Sequence, residues 1–269
     1  MPRPIPSTIL LLKMTPGVEH EARALGQTSK VVVVGNAPRS DTIRLARDQL
    51  ANLRAPDGRR WLTRSLELDQ RTARAVERTL AHAAFDTRDE LAQLARVLSQ
   101  AEAGKTRIHR LVISGHYAGC GVRGNRSGDG GQRNGTLDFD VLTRLVALFP
   151  RAASQIKHLM LAICYRGGTN NPALPAERPV SHDVLHSYRA VFPNLVSVTG
   201  YASRAPRSGL GAEAHLRRWA AATTDNQAPR RQSIFGRCAP QPPKAGAARR
   251  NHFGVVHSDR GIDQCNNGS

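Results

Sequence analysis

Short aliphatic runs that stop abruptly at glycine or at a reactive side chain constrain this chain most. Leu111-Val112-Ile113 ends at Ser114-Gly115-His116, and Leu159-Met160-Leu161-Ala162 ends at Ile163-Cys164. Lys30 to Val34, four valines before Gly35-Asn36, has the same character. Runs of this length, rich in β-branched and aliphatic residues and bounded by turn residues, read as strands buried on both faces. Leu195 to Val198 is a further strand of this kind, delivering Gly200 to Arg204. His252 to Val256 is either a last strand or part of a frayed tail.

Between these runs the period changes. Arg71 to Ala84 carries Ala75, Val76 and Leu80, and Arg88 to Ala101 carries Leu91, Leu94 and Leu98, the spacing of two amphipathic helices. Thr136 to Phe149, Ser181 to Phe192 and Glu213 to Ala222 are helical by the same criterion, as is a segment capped by Ser40-Asp41. Trp61 to Leu68 alternates weakly and is assigned as a strand. Strands alternating with helices imply right-handed βαβ units. The expected fold is therefore α/β: a three-layer α/β/α sandwich with a mainly parallel central sheet. Residues 1–29 lack periodicity and are expected to form a flexible N-terminal extension. Residues 30–224 are expected to form the folded domain, and 225–269 a Pro-, Gly- and Arg-rich linker or tail that returns a strand at 252–256. Gly121 to Gly135, with its many glycines, is expected to be an exposed loop.

The chain has 269 residues and a hydrophobic content of 40%, enough for a substantial core. Its net charge of +18 comes almost wholly from arginine, since only five residues are lysine. Arginine is spread through every segment and aromatic residues are only 4%, so no specific nucleic-acid partner is expected. Cys120, Cys164, Cys238 and Cys265 stand far apart without a C-x-x-C pair, which speaks against a structural zinc site or a disulfide scaffold. Ile9 to Leu12 is too short for a signal-peptide core or a membrane span. A cytoplasmic protein with no cofactor, no metal and no membrane partner is expected.

His116 and Cys164 are the candidate reactive pair. Parallel sheets bind ligands at the carboxyl ends of their strands, and a thiol needs a neighbouring base to supply thiolate at neutral pH. Ser114 lacks the nucleophile elbow of a serine hydrolase. Cys120 reads as a bystander thiol, and His182 with His186 as a solvated helix face.

A hydrophobic strand followed by Ser-Gly-His, and a second followed by Ala-Ile-Cys, resemble the caspase-like cysteine peptidases, the clan that also holds legumain, gingipain, clostripain and the metacaspases. The separation of 48 positions between His116 and Cys164 is similar to theirs. The resemblance implies that Cys164 attacks a peptide carbonyl and that His116 protonates the leaving amine. The backbone N–H groups of Tyr117 and Cys164 would bind the oxyanion. Tyr117 stands where the family has glycine. Arg39, which follows the first strand, and Arg204, beyond the strand after the cysteine, match the family's pocket for an acidic residue; Ala162 departs from its glutamine. The implied function is a cysteine endopeptidase acting on protein or peptide substrates after acidic residues, with a protease-sensitive segment at Tyr165 to Val180. The alternative is a catalytically silent caspase-like domain that binds an acidic partner or serves as a scaffold.

Overall fold

The computed structural model describes residues 7–15, 18–35, 60, 62–64, 66–83, 87–118, 121–124, 136–163, 188–201, 211–224 and 253–256. In chain order the elements are β1 (Ser7–Lys13), α1 (Val18–Gly26), β2 (Lys30–Gly35), α2 (Gln70–Ala81), α3 (Arg88–Glu102) and β3 (Arg107–Ser114). These are followed by β4 (His116–Ala118), β5 (Gly121–Arg123), β6 (Thr136–Leu137), α4 (Phe139–Val146), α5 (Pro150–Gln155) and β7 (His158–Ala162). Last come β8 (Ser197–Tyr201), α6 (Ala212–Ala222) and β9 (Phe253–Val256).

The main sheet runs β2-β1-β3-β7-β8-β9. Neighbours from β2 to β8 are parallel, and β9 closes the far edge antiparallel to β8. Helices cover both faces, which makes the fold an α/β/α sandwich. On one face α1 packs against α6 and β2; on the other α3 packs against α2, α4, α5 and β2. Side chains divide between these faces with the strand period of two. Leu10, Leu12 and Leu111 meet Leu94, Leu98 and Leu142 on the α3 face. Val112 is fully buried, and Arg110 reaches the α6 face, where its guanidinium donates to the Ala220 carbonyl at 3.0 Å and to Ser29 Oγ at 2.6 Å. β3 is buried from its second residue to its last, with His109 and Arg110 buried beside the aliphatic run Leu111-Val112-Ile113.

Local signals explain the helix ends. Asp69 accepts from the Thr72 amide at 2.9 Å and caps α2. At the end of α3, Lys105 N–H bonds the Gln100 carbonyl at 2.8 Å and Gly104 N–H the Ala101 carbonyl at 3.1 Å, while Gly104 takes φ +73°. This Schellman closure needs a residue at ease in the left-handed region. It turns the chain directly into β3.

Four expectations are corrected. Residues 1–29 are not a loose extension: β1 lies between β2 and β3, with Ile9, Leu10 and Leu11 wholly buried, and α1 follows it. The prolines at both ends of this run disguise it, although its hydrophobicity equals that of the valine run. Residues 62–64 are helical, not a strand, with Leu62 buried. The expected helix from Thr136 begins only at Phe139, after a short strand, and Pro150 opens a separate helix α5 instead of ending the segment. The glycine-rich stretch begins with an ordered strand, β5, whose Val122 is buried. The described part of the tail, β9, pairs with β8 as a strand at 253–256. The helix expected from Ser40 lies outside the described residues, and of Ser181 to Phe192 the structure describes the end, helical over 188–191. No described helix is long and apolar enough to cross a membrane.

Candidate functional site at the carboxyl rim

The strand registers align four carboxyl ends. Lys13 is paired with Gly35 on one side and with Ser114 on the other, and Ser114 is paired in turn with Ala162. The rim therefore reads Gly35, Lys13, Ser114, Ala162 across β2, β1, β3 and β7. His116 lies two residues beyond Ser114, and Cys164 two residues beyond Ala162. Adjacent strands are about 4.8 Å apart, and β3 and β7 end level with each other at Ser114 and Ala162. Ile163, just before the cysteine, is buried. Cys164 itself lies outside the described residues, as do Arg39, Arg204 and Cys120.

His116 is exposed and opens β4. β4 pairs antiparallel with β5, and β5 with β6, so that His116 faces Arg123 and Tyr117 faces Val122. Val122 and Leu137 are buried and tie this small sheet to the core. Tyr117 sits in an extended strand, a backbone that tyrosine adopts without penalty. Replacing glycine by tyrosine at this position therefore needs no left-handed conformation.

Arg39 loses the premise on which it was matched. The strand before it is β2, the second strand and an edge of the sheet; the first strand is β1, followed by Met14 and Thr15. Arg204 still follows β8, the strand next to β7.

The order β2-β1-β3 reverses direction at β1, and the point of reversal holds a polar cluster with no counterpart in the sequence reading. Lys13 Nζ contacts Glu21 Oε1 of α1 in a buried ion pair and donates to Ser114 Oγ at 3.0 Å. Ser114 Oγ in turn donates to Glu21 Oε1 at 3.0 Å. All three are almost wholly buried. Met14 N–H bonds the Ser114 carbonyl at 2.8 Å. The hydroxyl of Ser114 is thus buried and engaged on both sides inside the protein. The available sequence signal was a lysine ending a four-residue aliphatic run, with a glutamate eight positions later. It becomes readable only once Ile9 to Leu12 is recognised as a strand.

Among the described residues no group of three or more His, Cys, Asp and Glu side chains is arranged to hold a metal ion. No protein-family model, curated protein or solved structure matches this chain.

Proposed function

We propose that the protein is a cysteine endopeptidase in which Cys164 is the nucleophile and His116 the general acid–base. One observation supports this reading: β3 and β7 are adjacent, parallel and paired through Ser114 and Ala162, and in the sequence His116 and Cys164 each stand two residues beyond these paired ends. The thiolate attacks the peptide carbonyl carbon, forming a C–S bond. The carbonyl electron pair moves to oxygen, which the N–H groups of Tyr117 and Cys164 would receive. Collapse of this intermediate breaks the C–N bond, and His116 passes a proton to the departing amine. Water then hydrolyses the thioester, releasing the acid and restoring the thiol. The motif resemblance to caspase-like peptidases supports the same assignment. For substrate we propose an acidic residue before the scissile bond, a preference now supported by Arg204 and by the net charge of +18.

A peptide library and a thiol-reactive activity probe test the reading together. Wild type is expected to label at Cys164 and to cleave peptides. Cys164→Ala should do neither, and His116→Ala should lower kcat by about 10²–10⁴-fold. Equal cleavage by wild type and Cys164→Ala removes the peptidase reading. A wild type that neither labels nor cleaves, yet retains an acidic peptide, favours a binding module with a basic surface. Preference for Arg or Lys before the scissile bond removes the acidic specificity alone.

A further inference from the structure

We propose that Lys13, Glu21 and Ser114 are positioning residues that fix the β3–β4 corner and thereby set where His116 stands. The inference rests on the peptidase reading for its catalytic consequence, but its structural content is separate. Ser114 is two residues before His116, and only Gly115 lies between them. The structure restrains Ser114 from every side. Its backbone pairs with Lys13 on one flank and Ala162 on the other. Its carbonyl accepts from Met14 N–H, and its hydroxyl accepts from Lys13 and donates to Glu21. Three separate elements, β1, α1 and β3, therefore converge on the residue from which the histidine-bearing turn springs.

Stability alone is a poor reason for this cluster. A buried ion pair offsets the desolvation of two charges only when its remaining lone pairs and protons are satisfied, and apolar residues of similar volume often stabilise as well or better. Here Glu21 Oε2 is buried without a hydrogen-bond partner among the described residues. What the cluster supplies that methionine and leucine cannot is direction. The charge-assisted bonds hold one hydroxyl, and with it one backbone corner, in a single orientation. General acid–base transfer demands that orientation, since a displacement of about 1 Å can cost about 10²-fold in rate.

Two variants separate positioning from folding. Ser114→Ala removes only the hydroxyl, whereas the double variant Lys13→Met with Glu21→Leu replaces the ion pair by apolar volume. The double variant is expected to melt at or above the wild-type temperature. Both variants are expected to show kcat lower by roughly 10- to 100-fold with KM within about twofold, the pattern of an interaction needed in the transition state. Independently of catalysis, backbone amide order parameters at Gly115 and His116 should fall from about 0.85 in wild type to below about 0.6 in the variants. Unchanged order parameters overturn the proposal, whether or not the protein cleaves peptides. A looser corner with wild-type kcat also overturns it. If wild type cleaves no peptide and Cys164 does not label, the peptidase reading fails by itself, and the order parameters still decide whether the cluster orients His116.

Discussion

Gly35 ends β2 opposite Lys13, and a Cβ there would collide with the Lys13 carbonyl oxygen, a backbone atom that cannot swing away. Its φ of +152° is also one that residues with a side chain rarely adopt. Gly35→Ala should therefore destabilise the protein by about 1–3 kcal/mol, read as a shift in the urea midpoint at constant slope. Asp69 works by a different principle. The Thr72 hydroxyl, then the Thr72 amide, holds its carboxyl below the usual range. The side chain is largely exposed, so solvent screens much of this effect. A folded-state pKa below the unfolded one adds stability at pH above the unfolded value of about 3.9, and that stability is lost as pH falls through the folded value. Asp69→Ala should cost about 1 kcal/mol at neutral pH. The gap in urea midpoint between variant and wild type should close below about pH 4; a gap that stays constant to pH 2 would assign the loss to helix propensity instead of the carboxylate.

Elements were legible where one period dominated. β3 and β7 are buried on both faces, and each carries an aliphatic run, Leu111 to Ile113 and Leu159 to Leu161. α2, α3 and α6 are half-buried, so theirs repeat at helical spacing. Legibility failed where flanking residues and core placement pointed in opposite directions. β1 is as apolar as β2, but prolines 2, 4, 6 and 16 made it resemble a tail, and only its pairing with two neighbours reveals a central strand. The same logic divides the site. His116 announces itself as an imidazole at a strand end, whereas the Lys13, Glu21 and Ser114 cluster joins residues up to 101 positions apart and has no local signature. In α6, burial first and then Arg218 push the His215 imidazole below its usual range. The folded protein thus resists a proton that the unfolded chain accepts near pH 6.5, so stability should decline as pH falls from about 6.5 toward the lower folded value. The decline should be shallower in His215→Gln when urea midpoints are followed across that interval. Parallel curves would mean that the partners of His215 compensate its protonation.

At the scale of the molecule, the placement of β1 makes the N-terminal segment a condition for folding. The other parallel strands could close as a sheet without help only if β2 met β3, and in the sheet they are not neighbours; each hydrogen-bonds β1 instead. Removing residues 1–29 would leave β2 without a neighbour and expose the edge of β3. It would also withdraw Ile9, Leu10, Leu11 and Leu12 from a core in which each is 0–1% exposed. A single buried leucine truncated to alanine costs about 2–5 kcal/mol, while a whole domain is stable by only about 5–15 kcal/mol. Losing four such side chains together with two strand pairings exceeds any margin of this size. The chain beginning at Lys30 should therefore fail to unfold cooperatively by circular dichroism and should accumulate as aggregate through the bared edge of β3. Leu11→Ala in the full chain should retain a cooperative transition, lowered by about 2–5 kcal/mol. A truncated chain that melts cooperatively near the wild-type temperature would show that β2 can close directly on β3. The polar cluster at the rim would then be dispensable for the fold as well, because Lys13 and Glu21 would both be gone.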